Sequence, residues 1–267
     1  MSMLQLTSIC KTFNLGTINE KNALNHVSLT LKDGDFAVVI GGNGAGKSTM
    51  LNAIAGVWPI DQGAIMIDNQ NVTGLPDYKR TSYIGRVFQD PMMGTAPDMQ
   101  IIENLALAAR RGKRRTLKWE VTKEEKELYR NQLKDLSLGL EDRLTQKVGL
   151  LSGGQRQALT LLMATIQKPK ILLLDEHTAA LDPKTAANVL DTTRKLVEKN
   201  HLTALMVTHN MKDAIVTGNR LIMMHEGRII FEVSGEEKKK LTVEDLLQKF
   251  QEASGEEFAD DKSLLNR

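Results

Sequence analysis

The run Gly41 to Thr49, GGNGAGKST, spaces glycines so that backbone N–H groups can turn inward around phosphate oxygens, and it ends in a lysine and two hydroxyls. It follows DFAVVI, an apolar run that reads as a strand, and precedes MLNAIAG, whose apolar spacing suits a helix. That is the context a phosphate-binding loop requires. Gly41, Gly42, Asn43, Gly44, Ala45, Gly46, Lys47, Ser48 and Thr49 are therefore expected to hold the phosphates of a nucleotide. Lys47 would reach the β and γ phosphates, and the Ser48 hydroxyl would ligate Mg²⁺. A second run, LLLDEHTAALDP from Leu172 to Pro183, sets Asp175, Glu176 and His177 side by side at the end of an apolar strand. Asp175 is placed to hold the water shell of Mg²⁺ and Glu176 to take a proton from an attacking water, which is the chemistry of phosphoryl transfer.

The elements that must position these groups follow from periodicity. LQLTSI and ALNHVSLTL alternate apolar and polar residues as half-buried strands do, and AIMID reads as another short strand. From about residue 90 to 159 the patterns IIENLALAARR, KWEVTKEEKELYRNQLKDL and GGQRQALTLLMATIQ are mostly helical, which predicts a helical insertion. KILLLD is then a buried strand, PKTAANVLDTTRKLVEK a helix with Pro183 in its first turn, and LTALMVTH a further strand. NRLIMMHEGRIIFEV reads as a hairpin turning at Glu226 and Gly227. Beyond Ser234 the chain is charged, with one amphipathic segment, LTVEDLLQKF, expected to pack as a helix on the core or a partner chain, and then a polar end.

Bulk composition bounds the reading. With 267 residues, 41% hydrophobic and 25% charged, the chain can bury one sizeable core with a small appended subdomain. Its 35 basic and 33 acidic side chains leave a formal charge of +2, so no global field favours nucleic acid, and no nucleic-acid partner is expected. The single cysteine, Cys10, excludes an intramolecular disulfide framework and a cysteine-rich metal site and suits a reducing compartment. MSMLQLTSICKTF has no signal-peptide pattern, and no segment approaches the roughly 20 apolar residues of a membrane helix. A cytoplasmic protein that reaches a membrane only through partners is expected.

Between the two chemical runs stands LSGGQ, from Leu151 to Gln155, followed by RQALTLLMATIQKPK. With this motif in place, the chain resembles the ATPases of ATP-binding cassette (ABC) transporters over about residues 3–233. The resemblance implies an α/β fold: a P-loop ATPase core with an antiparallel β subdomain and an inserted α-helical subdomain, spanning residues 1–235, with a C-terminal extension at 236–267. It implies ATP and Mg²⁺ as cofactors. It makes Ser152, Gly153, Gly154 and Gln155 the signature that contacts the γ phosphate of ATP held by the opposite subunit. A hydroxyl, exposed N–H groups and a helix start suit that task, although SGGQ is equally a helix-capping turn. Phe13, in KTF, takes the place of the aromatic that stacks on adenine. Gln89, in VFQD, takes that of the glutamine that approaches Mg²⁺ and the attacking water. Asp182, after Ala180 and Leu181, resembles the D-loop at the dimer interface, and His209, in VTHN, the switch histidine that orients Glu176 and water. His177 stands where these ATPases most often have proline. It is expected to point away from the γ phosphate, in a surface or interface role.

The same resemblance implies a head-to-tail dimer with each ATP between Gly41–Thr49 of one chain and the signature of the other, on the inner face of the cell membrane. Integral membrane permease subunits would engage a groove between the Gln89 loop and the helical insertion, near PMMGTAPDMQ. An extracytoplasmic substrate-binding protein would serve the same system, and the texture is similar to importers proposed for aromatic amino acids. Exporters, lipoprotein-releasing ATPases and soluble ABC ATPases are the alternatives, and a P-loop kinase would leave LSGGQ unused. The basic run ARRGKRRTLKW reads as a solvated face or as a contact with anionic lipid. His26, His201 and His225 show no metal-ligand spacing.

Overall fold

A computed structural model of the protein describes residues 2–113 and 121–254. The basic residues Arg114 and Arg115, the rest of that run to Trp119, and the polar end after Ser254 lie outside the described residues.

Two sheets form the frame. The first, antiparallel and ordered β2-β1-β4-β5, comprises β1 (Ser2–Phe13), β2 (Lys21–Lys32), β4 (Gln62–Ile67) and β5 (Gln70–Asn71). The second is ordered β10-β9-β3-β8-β7-β6 and comprises β3 (Phe36–Ile40), β6 (Ile84–Val87), β7 (Ile171–Asp175), β8 (Ala204–Val207), β9 (Arg220–His225) and β10 (Arg228–Ser234). Its neighbours are parallel except for the β9–β10 hairpin. A parallel strand covered on both faces needs apolar residues throughout, which is why FAVVI and ALMV are wholly buried. Successive residues of these strands enter opposite cores. Val38, Leu172, Leu174 and Met206 join one cluster, whereas Val39, Leu173, Leu205 and Val207 join the other. The hairpin turns at Glu226 (φ 45°) and Gly227 (φ 73°), as the sequence predicts.

The helices are α1 (Lys47–Ala55), α2 (Asp77–Arg80), α3 (Ile101–Ala109), α4 (Lys123–Lys134), α5 (Gly153–Thr165), α6 (Pro183–Lys199), α7 (Met211–Val216), α8 (Gly235–Lys239) and α9 (Val243–Ser254). Leu105 of α3 and Leu133 of α4 pack into the same cluster as Leu159 and Leu162 of α5. None of the helices among the described residues is long and apolar enough to cross a membrane. The amphipathic C-terminal segment lies on its own chain, burying Leu246 and Phe250 of α9. Phe250 lies edge-on to His225, centroids 5.4 Å apart, and its ring is 3.5 Å from where a Cβ on Gly42 would stand, so α9 backs the phosphate loop. Lys238 of α8 is buried and donates to the carbonyls of Ile215, Thr217 and Gly218 at the end of α7. Burial there pushes its pKa down to about 8.

Candidate nucleotide site

The phosphate loop joins β3 to α1, and two of its glycines are sterically required. At Gly41 (φ 152°) a Cβ would stand 2.2 Å from the carbonyl oxygen of Met224, and at Gly46 (φ 99°) 2.5 Å from that of Ala23. Gly46 caps α1, so the helix begins at the loop and directs its positive end there. Lys47 is 6% exposed, and its ammonium arches back to donate to the carbonyls of Gly41 (2.7 Å) and Gly42 (3.0 Å). Burial lowers its pKa, opposed by the charges of Glu176 and Asp175. A cavity of about 270 Å³ lies over the loop, lined by Asn43 to Thr49, Phe13, Lys21, Ala23 and Glu176.

Asp175 ends β7, and Glu176 immediately reverses the chain with φ 43°, a left-handed conformation costly for a residue with a Cβ. Its N–H donates to Val207 O (3.0 Å), fastening the turn to the end of β8, two residues before His209. The Glu176 carboxylate then meets the His209 ring, Oε2 to Nδ1 3.4 Å. The contact lowers the pKa of Glu176 and raises that of His209, and the pair stands beside Lys47, whose charge acts on both. Asp175 is raised by burial, and Arg86 of β6 opposes this through an Nη2–Oδ2 contact of 3.2 Å. Arg86 also donates to Asn52 Oδ1 of α1 (2.8 Å) and lies 4.7 Å over the Phe88 ring.

The donor set fits phosphate and Mg²⁺. Gly41 and Gly46, where no Cβ fits, shape a cradle of N–H groups, and Ser48 is exposed in the cavity; Asp175 adds a strand-end carboxylate behind the lining, with Oδ2 bonded to Arg86. Other expected members are placed differently. Phe13 lines the cavity and packs edge-on against Trp58, centroids 5.0 Å apart, both rings half-buried. Gln89 is exposed in the loop after β6 and does not line the cavity. Ser152 and Gln155 form a capping box on α5: the Ser152 side chain accepts from Gln155 N (3.3 Å), and Gln155 Oε1 accepts from Ser152 N (3.2 Å). Asp182 caps α6 by accepting from Thr185 N (3.1 Å). Neither signature nor D-loop lines the cavity of its own chain. The two touch each other instead: a Cβ on Gly154 would stand 2.2 Å from Thr185 Cγ2, and one on Gly153 3.2 Å from Leu181 Cδ2.

The surface or interface role expected for His177 is overturned. The left-handed turn at Glu176 sends the next side chain inward under α6, where His177 is 2% exposed with Nε2 2.9 Å from Thr193 Oγ1. Sequence reasoning also missed Arg86 and Lys21. The signal for Arg86 was a charge inside the otherwise apolar strand IGRV. Lys21, whose ammonium lies 3.1 Å from the position of a Cβ on Gly44, gave no signal in an exposed polar stretch.

A family model described as ABC transporter matches residues 24–179. The tyrosine transport ATP-binding protein of Clostridioides difficile (strain R20291) is 45% identical over 251 residues, 94% of this chain and 100% of that relative. The spermidine/putrescine import ATP-binding protein PotA of Escherichia coli (strain K12) is 34% identical over 227 residues, 85% of this chain and 56% of the relative. Among solved structures, the ATP-binding cassette MJ0796, dimeric in a post-hydrolysis state with ADP and Pi, superposes with a TM-score of 0.74 at 32% identity, covering 87% of this chain and 98% of that one. The ADP conformation of the cassette MJ1267 superposes with a TM-score of 0.77 at 29% identity, covering 94% and 98%. The two-sheet α/β frame is thus that of an ABC nucleotide-binding cassette. A family match over most of the catalytic core, and a relative aligned along its whole length, establish that this chain belongs to the ABC transporter family as a transporter ATPase.

Proposed function

We propose that the chain powers the import of an amino acid, of the aromatic type, by hydrolysing ATP in a head-to-tail dimer of itself bound to a membrane permease. The observation that carries the hydrolytic part is the Glu176–His209 pair beside the buried Lys47. Bound Mg²⁺·ATP supplies the phosphoryl group to be transferred to water. Around it, Lys47 and the loop N–H groups would hold the phosphates, Ser48 and Asp175 would hold the metal, and Glu176 would accept the proton of the attacking water. His209 orients that carboxylate and water. Gln89 is exposed and outside the cavity lining, so it has no part in the arrangement around Lys47.

Dimerisation is supported by the separation within one chain: the cavity lacks Ser152 to Gln155, so a second chain must bring them, with Asp182 crossing beside. A permease is supported by a groove of about 1870 Å³ whose walls include Tyr78, Phe88, Met93, Leu107 and Leu128, large apolar residues rimmed by Arg110 and Lys113. Met93 belongs to the methionine-bearing run near which the permease contact is expected, and methionine adapts to irregular partners. The chain would then sit on the cytoplasmic face of the cell membrane, and a substrate-binding protein would deliver the cargo outside. The cargo reading rests on the relative named for tyrosine transport.

Glu176→Gln should bind ATP and dimerise yet hydrolyse at least about a hundredfold more slowly, because the proton acceptor is lost. Near-normal turnover would remove Glu176 from the role of base. Cells lacking this chain should lose uptake of labelled tyrosine or tryptophan, and unchanged uptake of both would refute the cargo.

A further inference from the structure

We infer that His177 is a positioning residue: its buried imidazole ties the turn that presents Glu176 to the middle of α6, the helix that carries Asp182 and abuts the signature. This rests on the reading of Glu176 as the group that receives the proton from water.

Hydrogen-bond stoichiometry fixes the direction of the tie. Thr193 is fully buried and its hydroxyl donates to Val189 O (2.8 Å), one turn back along α6. A hydroxyl has one proton, so towards His177 Nε2, at 2.9 Å, Thr193 Oγ1 can only accept. The imidazole therefore carries its proton on Nε2. The ring is 2% exposed, and through its Nε2–H it serves Thr193 as a donor. A proline at this position would offer no such donor.

What the tie joins gives it a function. On one side is Glu176, held at φ 43° by its N–H to Val207 O and by Ala179 N to Glu176 O (2.9 Å). A left-handed turn of this kind persists only where its surroundings over-determine it, and His177 is the next side chain. On the other side is α6, begun by the Asp182 cap and by Thr185, which packs without clearance against Gly154. Eleven positions separate Asp182 from Thr193, about 16 Å of helix at 1.5 Å per residue. A rigid rod of that length links the face of the chain that meets a partner's nucleotide to the turn that aims this chain's own Glu176. Displacing α6 along its axis must drag the His177 ring with it, or break the bond to Thr193. His177 thus makes the aim of Glu176 depend on the seating of the signature and D-loop.

A satisfied core histidine would show the same burial, so the test must separate aim from stability. Four variants of the full chain, His177→Leu, His177→Gln, Thr193→Val and the His177→Leu/Thr193→Val double, are compared with wild type for ATP turnover and for binding of a fluorescent ATP analogue, well below their melting temperatures. Thr193→Val is nearly isosteric and the glutamine amide can reach as the imidazole does, so these two guard against simple misfolding. His177→Leu and Thr193→Val should each lower kcat about tenfold, a fraction of what an ångström of misplacement costs, with KM and nucleotide affinity changed by less than about twofold. The double variant should be no slower than the slower single one, and His177→Gln should keep more than about half of kcat. Unchanged kcat in the two single variants, a glutamine as slow as the leucine, or fully additive losses would each overturn the tie. Glu176→Gln, assayed alongside, keeps the two ideas apart. Near-normal turnover there removes the base while leaving the His177–Thr193 pattern to be judged by rescue and non-additivity.

Discussion

Replacing Gly154 by alanine adds one methyl carbon, and that carbon would stand 2.2 Å from Thr185 Cγ2, far inside van der Waals contact. Three effects compete. Alanine is the better helix former, by up to about 1 kcal/mol in a helix interior and less at the second residue of α5, where Gly154 lies. Against this, forcing a methyl into a packed contact costs about 1–3 kcal/mol. Thr185 could rotate its methyl away, but its hydroxyl and N–H both hold the Asp182 carboxylate below the usual range, so rotation gives up part of the cap that begins α6. The clash therefore wins, leaving a net loss of about 1–2 kcal/mol, or about 2–8 °C in Tm for a chain of this size. Differential scanning calorimetry of Gly154→Ala measures it. Thr185→Ser, which removes only the offending carbon and keeps the hydroxyl, should restore most of the lost Tm in the double variant. A Gly154→Ala protein with wild-type Tm, or one that Thr185→Ser fails to rescue, would refute the claim that signature and D-loop are packed without clearance.

The His209 imidazole should titrate above the ordinary value of 6.5 by NMR and fall back towards it in Glu176→Gln; an unchanged titration would deny the pairing. For stability, the raised His209 contributes fully below 6.5 and loses its contribution as pH rises through its folded value. The lowered Glu176 contributes above 4.5 and loses its contribution as pH falls through its folded value. The Tm deficit of His209→Gln should therefore be largest near about pH 5–6 and shrink by about pH 8. Arg86→Met leaves the half-buried Asp175 without its partner and should cost about 1–3 kcal/mol in urea unfolding at neutral pH. Because burial already raises Asp175, that deficit should narrow as pH falls and the carboxyl takes up a proton, and a deficit independent of pH would place the loss elsewhere.

Features written in consecutive residues are legible in the sequence itself. The glycine spacing of Gly41 to Thr49, the buried strands FAVVI and ILLLD, the hairpin at Glu226 and Gly227, and Pro183 after the Asp182 cap all stand where local pattern puts them. What the sequence hides is set by contacts between distant positions. Adjacent residues on a strand face opposite ways, but Glu176 breaks the strand with a left-handed φ, so period two could not say where His177 points. Arg86 meets Asp175 across neighbouring parallel strands, 89 positions apart in the chain. The approach of Phe250 to Gly42 joins positions far apart in the chain, and amphipathicity said only that α9 would bury one side.

The strand order of the larger sheet also constrains how the protein is made. β3, whose end begins the phosphate loop, pairs with β8 on one side and β9 on the other, and neither exists until residues 204–225 have been synthesised. At about 5–20 residues per second, the wholly apolar FAVVI waits on the order of 10–30 s after leaving the ribosome's catalytic centre before either neighbour is available. Pairings of this sequence separation also close slowly. The strand that leads into the phosphate loop is thus made early and paired late, and the interval in which a bare central strand seeks a partner is built into the topology.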